Sequence, residues 1–175
     1  VNKPGGIVCT EERRERNSIV RFLDYPVRVT YVGRLDKDSR GLLLMTNNGD
    51  IINRMMRAAN CHEKEYKVTV DKEITEEFLN QMAGGVPILD TVTRPCRVEK
   101  LGKYTFSIIL TQGLNRQIRR MCEALGYEVK DLVRVRVMNI RLGSLKEGRY
   151  RKLTDEELNE LYELIKDSHG GEHGR

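Results

Sequence analysis

The stretch Val32–Gly41, VGRLDKDSRG, places two acids and three bases in a turn between two apolar runs. The flanking runs, 27–32 and 42–46, are rich in branched aliphatic residues and predict two strands. A solvated turn would account for Asp36 and Asp38, because aspartate is common in turns. The alternative is that Asp36 is held ionised for chemistry, with Asp38 as the solvent-facing acid of the loop.

The charge distribution indicates a surface for a polyanion. The chain of 175 residues has a formal net charge of +5. Residues 112–152 hold 11 Lys and Arg against 4 Asp and Glu, whereas residues 153–175 hold 2 against 7. A basic block beside an acidic segment favours nucleic acid as the partner. Ordinary scatter of charge over a soluble protein is the alternative.

The cysteines and histidines do not predict a metal site. Cys9, Cys61, Cys96 and Cys122 lie far apart and form no CxxC pair, so neither a zinc cluster nor a redox dithiol is indicated. His62 follows Cys61, but no further ligands lie at a suitable spacing. Four reduced thiols are typical of a cytoplasmic protein. No apolar run approaches the roughly 18 residues of a membrane span, and no signal peptide is present.

Short strands with few helices between them predict an α+β fold with a mainly antiparallel sheet. Thr154 and Glu157 form a capping box that predicts the start of the last helix, which runs to Lys166. Residues 168–175 read as a disordered tail, and the lack of an initiating Met suggests a piece of a longer chain. The predicted strands are 27–32, 42–46, 64–70, 91–98 and 104–111, and the stretches 129–137 and 138–142 are also β-rich. The other predicted helices are 50–57, 76–83 and 115–125.

Helix 115–125 has an apolar stripe formed by Ile118, Met121, Cys122 and Leu125. Arg116 and Arg120 would lie across from it and face water. Arg119 would lie at the edge of the stripe, where a partly buried guanidinium needs a carboxylate, and Asp36 is the natural partner. A surface arginine that extends its head group into water is the alternative.

Tyr66 lies in 64–70, a stretch that alternates apolar and polar residues as a half-buried strand does. On the apolar face of this strand it would usually be a core tyrosine. The functional alternative is a ring at the open end of the strand that stacks on a nucleobase.

Four motifs in this order carry a resemblance: NKPGGIVCT, VGRLDKDSRGLLLMTNNGD, EKEYKVTV and LTQGLNRQIRRMCEALGYEVKDLVRVRV. Together they resemble the catalytic domain of the bacterial ribosomal pseudouridine synthases of the RsuA/RluB/RluE/RluF group. The resemblance runs from Asn2 to about Ile165. It implies the pseudouridine synthase fold over residues 1–167, with flanking helices and a central catalytic cleft. It also implies that the N-terminal S4-type RNA-binding domain of the group is absent from this chain.

The resemblance implies isomerisation of a specific uridine in 23S ribosomal RNA. The enzyme would be monomeric and cytoplasmic, would need no cofactor or metal, and would not bind a membrane. The target base would be flipped out, cleaved at N1–C1′ and rejoined through C5. Asp36 would be the essential aspartate of the G-R-L-D motif, which also contains Arg34 and Leu35. It would attack C1′ or remove the 2′ proton, and the sequence leaves both open.

The remaining site residues follow from the same resemblance. Arg119 would pair with the aspartate, Tyr66 would stack on the uracil with Lys64 two residues before it, and Ile118 would pack beneath the site. The basic block would supply the phosphate contacts, for which the candidates are Arg116, Arg120, Lys130, Arg134 and Arg136.

Two rival functions remain. A non-catalytic RNA-binding module would use the same basic face, although such a module has no need for an acid at its centre. A base-removing nucleosidase would release free uracil and leave abasic sites.

Overall fold

The computed structural model describes residues 1–59 and 61–166. Its helices are α1 (Ile19–Leu23), α2 (Gly49–Ala58), α3 (Glu76–Gly84), α4 (Gln117–Ala124) and α5 (Asp155–Lys166). Its strands are β1 (Asn2–Lys3), β2 (Thr30–Val32), β3 (Arg40–Leu42), β4 (Leu44–Thr46), β5 (Lys64–Val70), β6 (Pro87–Ile88), β7 (Thr91–Val92), β8 (Arg97–Lys100), β9 (Thr105–Leu110), β10 (Val129–Val137) and β11 (Ile140–Arg141).

A mixed sheet organises these elements. Its strands follow the order β1-β3-β10-β5-β9-β8, and β11 pairs with β10. The β3–β10 pairing is parallel, and the other pairings in this sheet are antiparallel. This confirms the predicted α+β class with a mainly antiparallel sheet. Because β10 pairs with both β3 and β5, it holds the strand that follows the loop of residues 33–39 at a fixed distance from the strand that carries Tyr66.

The two faces of the sheet bury different side chains. Leu132 packs with α3 and α4 in one apolar cluster, whereas its neighbour Val133 packs with α2 and α5 in another. This division follows from the strand geometry, in which successive side chains point to opposite faces. Helix α4 buries Ile118, Met121 and Cys122 against the first face, as the stripe predicts.

The loop of residues 33–39 rests on buried groups. Leu35 packs in a third cluster with Cys9, Ile19 and Leu43, and its backbone N–H donates to Cys9 Sγ at 3.4 Å. Lys3 has 0% of its surface exposed. Its Nζ donates to the carbonyls of Pro4, Ile7 and Lys37 at 2.9, 2.7 and 3.4 Å. The loop is therefore attached from beneath to the first residues of the chain.

Most predicted elements match, and the differences have local causes. Strand 64–70 is β5, and the capping box of α5 is present, with Thr154 N donating to Glu157 Oε1 at 2.9 Å and Glu157 N donating to Thr154 Oγ1 at 3.1 Å. The predicted strand 27–32 shortens to β2, and the short helix α1 was not predicted. The predicted tail 168–175 lies outside the described residues.

The predicted strand 91–98 is instead divided between β7 and β8. Leu89 and Asp90 both adopt positive φ, 46° and 62°, and turn the chain tightly between β6 and β7. Pro95, which cannot donate to a strand ladder, separates β7 from β8.

Within residues 1–59 and 61–166, none of the helices has the length and apolar character needed to cross a bilayer.

A substitution at Gly41 tests whether β3 must lie as close to β10 as it does in the structure. Its φ is +111°, and a Cβ there would lie 2.3 Å from the carbonyl oxygen of Arg134. We expect Gly41→Ala to lower the free energy of unfolding by about 2–4 kcal/mol, because backbone cannot move aside as a flexible side chain can. Urea unfolding measures the change. The control is Gly49→Ala, where a Cβ meets no heavy atom within 4 Å. Equal stability of the two variants would contradict the close approach.

Candidate active site

The loop between β2 and β3 presents two carboxylates to the start of α4. The Asp36 and Asp38 side chains are 43% and 51% exposed. The backbone N–H of Ser39 donates to the Asp36 carbonyl at 3.0 Å and closes the turn between them. Gly6 N donates to the Lys37 carbonyl at 2.7 Å. Both acids thus lie on a short, well-anchored turn that water and a substrate can reach.

Two arginines at the start of α4 bind this loop. Arg116 donates from Nη1 and Nη2 to the two Asp38 carboxylate oxygens at 3.0 and 2.8 Å. Its Nη1 also lies 3.5 Å from Asp36 Oδ2. Arg119, with only 11% of its side chain exposed, donates from Nη2 to the Asp38 carbonyl at 2.9 Å and to Ser39 Oγ at 3.3 Å. Its Nε lies 3.6 Å from Asp38 Oδ2.

The predicted pair of Asp36 with Arg119 is therefore wrong in this structure. Arg119 is partly buried and beside a carboxylate, as expected, but that carboxylate belongs to Asp38. Asp36 instead lies beside Arg116, which was expected to face water. The reason is that α4 begins at Gln117, and Arg116 precedes it with a left-handed backbone (φ 48°). A helical projection that includes Arg116 places its side chain on the wrong side.

The arrangement also determines how Asp38 titrates. Hydrogen bonds from Arg116, together with the positive charge of Arg119, hold the pKa of Asp38 below its ordinary value of 3.8. Asp38 is thus the acid that anchors both guanidinium groups. Asp36 has one ion contact in the described part of the chain, the 3.5 Å approach of Arg116. Its carboxylate is therefore the one available for a reaction.

Tyr66 lies on the sheet face that α4 covers. It shares this face of β5 with Val68 and Val70, pairs with Arg134 on β10 and Ile108 on β9, and is half-buried against the first apolar cluster. Helix α4 packs on the same face, and the arginines at its start bind the loop that carries the two acids. No hydrogen bond joins Tyr66 to Asp36 among the described residues. The Tyr66 side chain is partly accessible to solvent.

Lys64, two residues before Tyr66, points to the same face. Its Nζ donates to the carbonyl of Ala59 at 2.6 Å. Burial lowers the pKa of Lys64, and the positive charges of Arg134 and Arg94 lower it further. Lys64 is therefore a partly buried cation with other cations around it.

The other predicted residues of the site divide into buried and accessible groups. Leu35 and Ile118 are buried, consistent with a supporting role. Arg34 and Lys130 are exposed, and Lys130 Nζ lies 3.4 Å from Glu128. Arg120 donates to the backbone carbonyl and the side-chain oxygen of Asn115 at 3.0 and 2.9 Å.

Arg134 and Arg136 do not fit the prediction that they contact phosphates at the surface. Both are buried, at 6% and 9% exposure. Arg136 donates to Glu63, Glu65 and the carbonyl of Met138. Arg134 donates from Nε to the carbonyl of Leu42 at 2.9 Å. The reason is that β10 is an inner strand with neighbours on both sides and helices over the sheet, which the charge count of residues 112–152 does not reveal.

Sequence reasoning missed Lys3 and Ser39 as parts of the site. Ser39 Oγ accepts from Arg119, and Lys3 holds the loop through the carbonyl of Lys37. Burial lowers the pKa of Lys3, although the nearby Cys9, Asp38 and Asp36 oppose this effect. A lysine directly before Pro4, Gly5 and Gly6 is the signal that could have found it, because such a turn leaves carbonyls without strand partners.

A cavity of about 390 Å³ lies elsewhere in the molecule, between the β2–β4 hairpin and α5. Its lining is mostly apolar and includes none of Asp36, Arg116, Arg119 and Tyr66. In the described part of the chain, no group of three or more His, Cys, Asp or Glu could hold a metal ion. The candidate site is thus formed by the carboxylates of the loop and the guanidinium groups at the start of α4.

Comparison with known proteins places this geometry in a family. The sequence model described as RNA pseudouridylate synthase matches residues 1–124. The dual-specificity RNA pseudouridine synthase RluF of Escherichia coli K12 is 57% identical over 168 residues, which cover 96% of this chain and 58% of that protein. The chain therefore spans less than two thirds of the length of this curated relative. The ribosomal small subunit pseudouridine synthase A of Haemophilus influenzae is 34% identical over 92% of this chain and 72% of that protein.

A solved structure described as a pseudouridylate synthase superposes with a TM-score of 0.83 at 34% identity, covering 92% of this chain and 71% of that one. Within the resembled group, HEKEYKVTV and AGGVPILDTVT favour the large-subunit pseudouridine synthase F. The identity to RluF confirms this prediction.

Asp38→Asn tests whether Asp38 anchors the two arginines. Because the pKa of Asp38 is lowered by folding, its stabilising effect is present above its ordinary pKa and is lost as the pH falls through the folded value. We expect the variant to be less stable than wild type at pH 7, and the difference to shrink as the pH falls below about 3.8. Thermal unfolding across this pH range measures it.

The control is Asp50→Asn, which removes an exposed i,i+4 pair with Arg54. Such a pair contributes about 0.3–0.5 kcal/mol, so its loss should be nearly invisible. A difference between wild type and Asp38→Asn that stays constant down to low pH would contradict the anchoring role.

Proposed function

Because this chain belongs to the RNA pseudouridylate synthase family, we propose that it isomerises a specific uridine of 23S ribosomal RNA to pseudouridine, with residues 1–167 as the catalytic domain. The fold supports the proposal, since the superposed pseudouridylate synthase shares it at 34% identity. A ribosomal large subunit pseudouridine synthase B at 37% identity supports the large-subunit RNA as substrate. The name of RluF states a dual specificity for that relative, so a second RNA target belongs in any test.

The reaction needs a carboxylate at the sugar. The N1–C1′ bond of the target uridine breaks, and its electron pair leaves with the base. Asp36 either forms a bond from its carboxylate to C1′ or removes the 2′ proton. After the base turns, C5 bonds to C1′ while the bond from Asp36 to C1′ breaks in the first route, or while the 2′ proton returns from Asp36 to C2′ in the second. The C5 proton then leaves and N1 regains a proton, so the product is an isomer. No oxidant or reductant enters this balance.

One observation carries the assignment to Asp36. Of the two acids on the loop, which are both exposed, Asp38 is bound by both arginines, whereas Asp36 has a single 3.5 Å contact with Arg116. A nucleophile or base must have an oxygen free to reach the substrate. The Asp38 network therefore positions the positive groups beside Asp36 without occupying its carboxylate.

Tyr66 would hold the base. The half-buried ring of Tyr66 on β5 would offer a surface on which the uracil stacks. Stacking contributes about 1–3 kcal/mol per base. Flipping the uridine out of folded RNA costs a few kcal/mol, which this stacking offsets in part. The detached uracil then stays close enough to C1′ to rejoin it.

The accessible arginine and lysine side chains would contact the phosphates of the RNA. Arg34, Arg120 and Lys130 reach solvent, whereas Arg134 and Arg136 are buried and Arg116 is occupied by Asp38. RNA contact through about three phosphates predicts that log K falls with log salt at a slope near −2.

Asp36→Asn is expected to abolish pseudouridine formation while leaving the fold and RNA affinity nearly unchanged. The amide has almost the same shape as the carboxylate but can neither attack C1′ nor accept the 2′ proton. The measurement is a carbodiimide and reverse-transcription map of 23S rRNA from a strain that lacks the enzyme, after incubation with the protein. Mapping 16S rRNA in parallel tests a second target.

The matched control is Asp24→Asn, an exposed acid at the end of α1 whose left-handed conformation an asparagine adopts readily. It should retain wild-type turnover. RNA binding without any new modification stop in the wild type would favour the binding module, and free uracil with abasic sites would favour the nucleosidase.

The salt dependence of binding gives an independent test of the phosphate contacts. Arg120→Ala should make the slope of log K against log salt shallower by about 0.7, the contribution of one phosphate on a single strand. Arg97→Ala, which removes an exposed arginine from the edge strand β8, is the control. Filter binding between 50 and 200 mM salt measures both. An unchanged slope for Arg120→Ala would remove that residue from the interface.

A further inference from the structure

Arg134 is a buried cation that has no carboxylate partner in the described part of the chain. Only 6% of its surface is exposed, and its one hydrogen bond in residues 1–59 and 61–166 is from Nε to the carbonyl of Leu42 at 2.9 Å. Its neighbours are neutralised: Arg136 binds Glu63 and Glu65, and Arg40 binds Asp131 and Glu147. A buried charge is costly unless it is paired, so an unpaired guanidinium at this depth indicates a partner that comes from outside the chain.

A second cation adds to the positive charge beside Tyr66. Arg134 pairs directly with Tyr66 across the β10–β5 ladder, so their side chains lie on the same face of the sheet. Lys64, two residues before Tyr66, shares this face and is held by the carbonyl of Ala59. Backbone carbonyls are thus the hydrogen-bond acceptors of both cations in the described residues. The tyrosine proposed to stack on uracil therefore lies beside two cations that no acid within residues 1–59 and 61–166 neutralises.

The proposed reaction creates a negative charge at this place. When the N1–C1′ bond breaks, the electron pair passes to N1 and spreads over the carbonyl oxygens O2 and O4 of the uracil. Arg116 and Arg119 already bind Asp38 and lie at the loop. The anion that Tyr66 would hold therefore needs a cation on the sheet itself, because a negative charge beside a partly buried ring is costly unless a positive group faces it.

We propose that Arg134 contacts a carbonyl oxygen of the target uracil and stabilises the negative charge that develops when the glycosidic bond breaks, with Lys64 strengthening the positive field. This inference rests on the proposed function. The base is the acceptor rather than a phosphate because Arg134 lies in the sheet beside Tyr66, at a depth that a flat ring reaches more readily than a hydrated phosphodiester. Arg134 keeps its proton throughout, since a guanidinium stays charged.

The test compares single-turnover cleavage of the target nucleoside in two RNAs, one with uridine and one with 5-fluorouridine at the target. Fluorine withdraws electrons, so the departing base carries its charge more easily and depends less on a cation. We expect Arg134→Gln to slow cleavage of uridine by about 100-fold at saturating RNA, and to slow cleavage of 5-fluorouridine clearly less. The affinity for RNA should change little. Digestion and mass spectrometry follow loss of the original nucleoside.

Arg40→Gln is the matched control, because Arg40 lies on the adjacent strand and its guanidinium is ion-paired. It should lower stability and leave cleavage per folded molecule at the wild-type rate. If Arg134→Gln fails to fold, Arg134→Lys decides. It keeps the charge and loses the planar fork, so its rate deficit should again be larger for uridine than for 5-fluorouridine.

Three results would overturn the proposal. An equal deficit on both RNAs would show that Arg134 does not stabilise the departing base. A weaker RNA affinity with a salt slope shallower by about 0.7 would identify a phosphate contact. Wild-type cleavage by the folded variant would leave Arg134 a structural role. Absence of pseudouridine with the wild-type protein would instead refute the proposed function, so the two failures are distinguishable.

Discussion

The close pairing of β3 with β10 is the constraint on which the candidate site depends. Gly41 lies against the backbone of Arg134, where no Cβ fits, and Arg134 reaches back to the carbonyl of Leu42. The loop with Asp36 leads directly into β3, and Tyr66 lies on β5 on the other side of β10. One ladder therefore sets the spacing between the acid and the ring. Rigid strands hold such a geometry more accurately than loops do.

The two acids of the loop differ in their ion contacts. Asp38 binds Arg116 and Arg119, which fastens the loop to α4 and gathers positive charge beside the loop. Asp36 remains exposed and almost unoccupied. On the sheet, Arg134 and Lys64 place more positive charge near Tyr66. In the proposed function, an RNA substrate would meet the Asp36 carboxylate among positively charged side chains, which would attract the phosphates and leave Asp36 accessible.

Sequence patterns correctly predicted the features that depend on neighbouring residues, namely a strand and the buried face of a helix. The alternation in 64–70 defines β5, and the stripe of Ile118, Met121 and Cys122 correctly gives the buried face of α4. Arg119 was correctly expected to be partly buried beside an acid. Its choice of Asp38 depends on the left-handed backbone of Arg116 and on the turn at Ser39, which helical periodicity does not encode. The burial of Arg134 and Arg136 depends on the strand order, which is set by contacts distant in sequence.

The attachment of the loop has a consequence for how the protein is made. Lys3 must lie beneath Lys37, and β3 must lie between β1 and β10, about ninety residues later in the chain. Contacts between such distant segments form only after the loop-closure entropy has been overcome. While the ribosome is still synthesising the segment before β10, the growing chain can bring Lys3 to the acidic turn but cannot place that turn opposite Tyr66. The candidate site is therefore complete only after the central strand β10 has emerged.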